Sequence, residues 1–173
     1  MILSGKEISR EIGESIIIDP FEPSQINPNS YNLRLDNTLY VYTSDVLDMR
    51  KEEPVKKMTI PEGGFLLEPN TLYLGQTYEH TETKRYVPML EGRSSIGRLG
   101  LFIHVSAGFG DVGFSGKWTL EMYCVKPLKI YPFVKICQIF YHTIQGSYEL
   151  YDNTGKYQHS QDPSPSKLFQ EFL

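Results

Sequence analysis

The apolar residues of this chain come in short, alternating runs broken every few positions by Gly or Pro. That rhythm excludes a helical bundle, whose stripes recur at three and four residues over several turns. Tyr31, Leu33 and Leu35 alternate with Asn32, Arg34 and Asp36, giving a strand with one apolar face. Further strands are expected over residues 15–19, 39–42, 86–90, 101–105, 117–125, 128–131 and 135–144. Residues 65–67 and 71–78 flank Pro69-Asn70 and read as two strands around a tight turn. Residues 44–59 are charged, contain Pro54, and read as a surface excursion. Strands this short at this spacing predict a mainly β sandwich or barrel.

One helix interrupts the pattern. Ser4 followed by Glu7 is a capping box, Ile8 and Ile12 follow at helical spacing, and Gly13 offers a left-handed exit. No repeat or composition break divides the 173 residues, a length that suits one domain over 1–173. Residues 155–173 stand apart, Pro/Ser-rich and polar in the middle, with Phe169 and Phe172 near the end. They read either as a frayed terminus or as a tail that needs a docking surface.

Charge and composition narrow the function. A formal net charge of −4 argues against binding a nucleic-acid polymer, which needs an excess of Lys and Arg. The longest aliphatic run, Ile16 to Ile18, is far below the ~20 residues of a membrane span. The N-terminus carries no basic-then-apolar signal, and Cys124 and Cys137 sit in apolar runs as expected of buried free thiols in a reducing cytoplasm. No His-Glu-x-x-His and no Cys-x-x-Cys exists, so a zinc site of closely spaced ligands is not expected. His104 and His142 lie in apolar strands and read as core or interface histidines.

The chemistry concentrates between Glu91 and Tyr123. In GRSSIGRLG, Arg93 and Arg98 supply forked cationic donors, and Ser94 and Ser95 supply hydroxyl and N–H donors. Gly92 and Gly97 allow close backbone approach, and together these make a phosphate cradle. The same residues would also serve a polar turn with surface arginines. In SAGFGDVGFSG four glycines surround Asp111, which is either a ligand contact or an Asx-turn residue. In KWTLEMY, Trp118, Leu120 and Met122 share one face and Thr119, Glu121 and Tyr123 the other. Glu121 therefore points away from the core, where it is solvated, paired or used.

Taken together, GRSSIGRLGLFIHVSAG, D-x-GFSG and TLE resemble the dCTP deaminase family of the trimeric dUTPase-like superfamily. PNSYNLRLDN, the IxQIF strand holding Gln138, and GKYQ followed by PSPSKLFQEF extend the resemblance over nearly the whole chain. It implies a dUTPase-like fold, a distorted β-barrel or jelly-roll-like subunit with short helices. It also implies a homotrimer with active sites between subunits, and a tail over 155–173 that folds across the site.

By that resemblance Arg93, Ser94, Ser95 and Arg98 bind the triphosphate, with Ile96 and Gly97 in the same substrate loop. Asp111 holds the sugar 3′-hydroxyl. Glu121 is the proton shuttle and the Ala107 carbonyl orients the attacking water, with Thr119 and Leu120 also against the substrate. Gln138, Tyr151, Lys156 and Tyr157 contribute around the phosphates. Gln161 stands one position later than the glutamine usual in the tail, where this chain has Ser160. Mg²⁺ arrives on the triphosphate, no zinc is used, and dTTP is the implied feedback inhibitor.

Single-activity bacterial members carry His-Arg after the alanine, whereas this chain has Gly108-Phe109. That resembles the bifunctional branch, which takes dCTP to dUMP, ammonia and diphosphate. Gly108 is then expected to leave free volume for a second water. Rival readings are a deaminase releasing dUTP, a dUTPase alone, and a non-catalytic nucleotide-binding trimer.

Overall fold

The computed structural model describes residues 1–151 and 154–173. Helix α1 spans Gly5–Glu11, and the Ser4 hydroxyl accepts from the Glu7 N–H at 3.3 Å, which satisfies a donor the helix leaves orphaned. Gly13 leaves the helix at φ +86, a conformation costly for any residue with a Cβ.

Thirteen strands form four antiparallel ladders among the described residues. The largest joins β3 (Thr38–Tyr42), β4 (Val55–Thr59), β6 (Tyr73–Gln76), β9 (Leu101–Ile103) and β11 (Thr119–Cys124) in the order β4-β3-β6-β11-β9. A second orders β2 (Tyr31–Arg34), β13 (Lys135–Thr143) and β8 (Tyr86–Gly92) with β13 central. A third orders β1 (Ile16–Asp19), β7 (His80–Thr83) and β10 (Ser115–Gly116) around β7. The last pairs β5 (Phe65–Leu67) with β12 (Leu128–Ile130).

The mainly β expectation holds, but no ladder closes on itself, so the hydrogen bonding is not that of a barrel. The cause lies in strand length. β5 and β12 pair over three residues and β10 over two, too few to carry a continuous seam round a core. The core instead lies between the ladders, where Leu33, Leu35, Leu39, Leu90, Leu120 and Ile139 are wholly buried. Each contributes about 1.5–3 kcal/mol of apolar burial.

Two local expectations are corrected. Residues 44–59 are not wholly an excursion, because residues 55–59 form β4, an edge strand paired with β3. Lys56 and Lys57 hide that strand from pattern reading while protecting an open edge. The segments around Pro69-Asn70 do not pair with each other, since β5 joins β12 while β6 joins β3 and β11. The polar face of β2 is itself largely buried. Glu79, fully buried, accepts from Arg34 Nε at 2.6 Å, the Arg34 N–H at 2.8 Å and Gln25 Nε2 at 3.1 Å. A buried carboxylate is tolerable only with such partners.

Candidate active site

Strand β11 builds the site. Its alternation is as expected: Trp118, Leu120, Met122 and Cys124 face the core, while Thr119, Glu121 and Tyr123 face outward. The outward face does not simply meet solvent. Thr119 and Glu121 line a cavity of ≈ 480 Å³ whose walls include Leu74, Trp118, Phe114 and Tyr42.

The loop between β9 and β10 forms another wall, and its hydrogen bonds to β8 fix it. Leu90 N–H donates to the Gly108 carbonyl at 2.7 Å and Gly110 N–H to the Pro88 carbonyl at 2.9 Å, with Met89 and Phe109 bridged between them. A Cβ on Gly108 would lie 2.5 Å from the Leu90 carbonyl oxygen. Gly108 therefore does not leave the free volume that was expected from the sequence. Its missing side chain lets two backbones touch. Ala107, Phe109 and Asp111 reach the cavity from this loop.

His104 begins the loop at φ +55. Its N–H donates to the Glu121 carbonyl at 2.9 Å, and its Nδ1 stands 2.5 Å from Glu121 Oε2. The ring also packs edge-on to Trp118 at 6.0 Å, and its Nε2 is buried without a protein partner. His104 is buried, as the sequence suggested, and it is also the group that holds the carboxylate. Sequence periodicity could not find it, because a left-handed backbone turns the ring toward β11 just after β9 ends. Lys117 also lines the cavity and was not foreseen; its Nζ donates to Asp36 at 2.7 Å.

The tail closes the remaining side. His159 N–H donates to the Ser115 carbonyl at 2.7 Å and Lys117 N–H to the Ser160 carbonyl at 2.9 Å. Ser164 N–H donates to Thr119 Oγ1 at 2.9 Å, and Ser166 N–H to the Tyr42 hydroxyl at 2.9 Å. Tyr151, Tyr157, Ser160, Ser164 and Ser166 line the cavity. Lys156 does not; it pairs with Glu171. Gln161 is exposed and off the cavity, and it is Ser160 that faces inward. At the tail's end the Arg50 guanidinium lies 5.4 Å from the Phe172 ring centre, and Phe172 stays half exposed.

The arginine loop is elsewhere. Residues Ser94–Gly97 form a single helical turn, α2, with Ser94, Ser95, Gly97 and Arg98 exposed and Ile96 packed on the core. Arg93 Nη1 donates to the Lys135 carbonyl at 3.0 Å. None of Arg93 to Arg98 lines the cavity. Gly100, just beyond them, accepts from the Val125 N–H at 3.0 Å, four residues along β11 from Glu121 or about 13 Å. Gln138 is also remote, accepting from the Ser30 hydroxyl at 3.0 Å, and the Leu120 side chain is wholly within the core. One chain thus brings together Ala107, Phe109, Asp111, Thr119, Glu121, Tyr151 and Tyr157, and leaves the cationic loop facing outward.

Among the described residues no three His, Cys, Asp or Glu side chains converge as a metal-binding group.

The family model described as dCTP deaminase-like matches residues 2–144. The dCTP deaminase, dUMP-forming, of Hathewaya histolytica is 63% identical over 172 residues, covering 99% of both chains. Its namesake in Clostridium acetobutylicum is 61% identical over 173 residues, covering 100% of this chain and 99% of the other. In solved form, the 2′-deoxycytidine 5′-triphosphate deaminase of Agrobacterium tumefaciens superposes with a TM-score of 0.66 at 18% identity. That match covers 83% of this chain and 48% of that one, and speaks to the fold alone. By the match along its length and by its relatives, the chain belongs to the dCTP deaminase-like family.

Proposed function

We propose that the protein deaminates dCTP and hydrolyses the resulting triphosphate in place, giving ammonia, dUMP and diphosphate. The observation that carries this is Glu121, a carboxylate held by His104 on the wall of a nucleotide-sized cavity beside Ala107 and Asp111. The names of the full-length relatives support the dUMP-forming outcome.

Deamination follows from the carboxylate. Water adds to C4 of cytosine as Glu121 takes its proton and passes it to the ring N3. The hydroxyl proton of the tetrahedral intermediate then moves through Glu121 to the amino group, the C4–N bond breaks, and ammonia leaves from what is now dUTP. Acid–base help of this kind is worth typically 10²–10⁴-fold. Ala107, through its carbonyl, orients the water, and Asp111 fixes the sugar hydroxyl. A second water attacks the α-phosphorus and gives up a proton to solvent, the bond to the bridging oxygen breaks, and diphosphate departs with its electron pair. Mg²⁺ carried on the triphosphate supplies charge neutralisation there.

The cationic loop implies a partner copy. Arg93, Ser94, Ser95 and Arg98 serve the phosphates of a neighbouring chain's cavity in a homotrimer, where Gln138 also belongs. Supporting this is an exposed apolar face of Leu99, Phe102, Val105, Tyr123 and Val125 beside the loop, with Val105 76% exposed. Single-chain proteins rarely leave such a patch open. The reading is completed by a one-domain chain with its closing tail, by dTTP as an inhibitor at the same site, and by a cytoplasmic setting.

Incubation with dCTP and Mg²⁺, resolving dCTP, dUTP and dUMP over time, tests it. The expected course is dUMP and diphosphate with little free dUTP, and hydrolysis of added dUTP. Stoichiometric dUTP would leave a deaminase only, and no turnover of dCTP would remove the reading.

A further inference from the structure

We infer that Gln158 is a positioning residue for this reaction: its side-chain amide sets the register of the tail on the cavity and ties the tail to the loop that carries Asp111. The inference rests on the reading that the closed tail takes part in nucleotide binding.

Both ends of the amide are used, on three separate stretches of backbone. Gln158 Oε1 accepts from the Ser115 N–H at 2.9 Å, at the start of β10. Its Nε2 donates to the Gly113 carbonyl at 2.9 Å and to the Tyr151 carbonyl at 3.2 Å. Gly113 is two residues from Asp111, and Tyr151 lines the cavity. The approach is close enough to demand glycine. Gly113 stands at φ +97, and a Cβ there would lie 2.7 Å from the Tyr151 nitrogen. Tyr151 N–H in turn donates to the Val112 carbonyl at 2.7 Å.

The backbone-to-backbone bonds of the tail do not by themselves choose a register. Those of His159 and Lys117 join backbone to backbone, and any residues two apart could form them. A shift of one residue moves the tail by about 3.3 Å and turns each side chain to the opposite face. That would take Tyr157 and Ser160 off the cavity wall. Gln158 opposes the shift, because at its own position two carbonyls and one N–H converge on an amide, whereas the Lys57–Asp162 ion pair that also favours this register is exposed and weak. Glutamate would keep the shape, lose both donors and set a carboxylate against two carbonyl oxygens.

The test uses the full-length protein and three variants, Gln158→Ala, Gln158→Glu and Tyr157→Ala, with steady-state kinetics on dCTP. Trypsin cleavage after Lys156 and Lys167 reads tail opening, and urea midpoints read the fold. Both Gln158 variants should raise KM for dCTP about tenfold or more, with a smaller effect on kcat. Trypsin should cut their tails faster, and their urea midpoints should stay at the wild-type value. Gln158→Glu should be no better than Gln158→Ala. If Tyr157→Ala raises KM while both Gln158 variants keep wild-type KM and trypsin rates, the inference on Gln158 falls and the closing tail stands. If Tyr157→Ala also leaves KM unchanged, the role of the tail in binding falls, and this inference with it. A urea midpoint that drops in step with KM would make Gln158 a staple of the fold and overturn the positioning role.

Discussion

Replacing Gly108 by alanine adds one methyl group where β8 leaves none. The new Cβ would stand 2.5 Å from the Leu90 carbonyl oxygen, about 0.9 Å inside ordinary contact. Strand β8 cannot yield, because Leu90 is paired with Ile139 in the middle of the β8–β13 ladder. The loop must move instead, and the 2.7 Å bond from Leu90 N–H to Gly108 stretches as it does. Overpacking of this kind costs about 1–3 kcal/mol. The larger effect is catalytic. Ala107 is adjacent and His104 is at the root of the same loop, so the group that orients water and the group that holds Glu121 both shift. A misplacement near 1 Å costs on the order of 10²-fold in rate. Initial rates of ammonia and diphosphate release, with urea midpoints, measure both. Gly63→Ala is the control, since a Cβ there meets nothing within 4 Å. If Gly108→Ala matches Gly63→Ala in stability and stays within about twofold of wild-type turnover, the tight contact with β8 does not govern the site.

Other outcomes follow from the same structure. Glu121→Gln keeps the shape but cannot cycle a proton, so deamination should fall at least about 10²-fold while dCTP still binds by calorimetry; near-normal turnover would remove Glu121 from the mechanism. Mixing Arg98→Ala with Glu121→Gln should restore activity absent from either alone if cavity and arginine loop come from different copies, and continued inactivity after subunit exchange would place both in one chain. Burial pushes His80 below its ordinary value, against the opposing pull of Glu82 and Asp19. The unfolded chain then takes up a proton that the fold resists, so stability holds above about pH 6.5 and falls as pH drops below it. Urea midpoints across that range should slope less in His80→Asn, and equal slopes would contradict the assignment. Burial raises both Cys124 and Cys137, so neither should react with a thiol reagent at pH 8 before unfolding, and stoichiometric labelling of the folded protein would contradict this.

What could be read from the chain depended on whether a pattern was local. The strand at 31–35 and the outward turn of Glu121 were legible because alternation along one strand decides them. Strand β4 was not, because its lysines guard an edge and carry no apolar period. The partners of β5 and β6 were not, because proximity in sequence suggested a hairpin where burial favoured two different sheets. The arginine loop was recognised by composition, yet nothing in its spacing said that α2 would face away from Glu121. His104 escaped for a different reason. Its importance comes from one backbone angle and one neighbour on another strand, and neither leaves a mark on residue order.

The chain holds a single tryptophan, and the fold sets it in the cavity wall. Trp118 Nε1 donates to Thr81 Oγ1 at 2.8 Å, and its ring lies 4.8 Å from that of Phe114. Gly110 passes so close that a Cβ there would come within 2.3 Å of the ring. All indole fluorescence from this protein therefore originates at one wall of one site, with the histidine that grips Glu121 as its edge-on neighbour. Nucleotide arrival, tail seating and movement of the His104 loop each change the surroundings of that one fluorophore. The protein carries its own optical reporter, and the order of those events can be timed by stopped flow without a label.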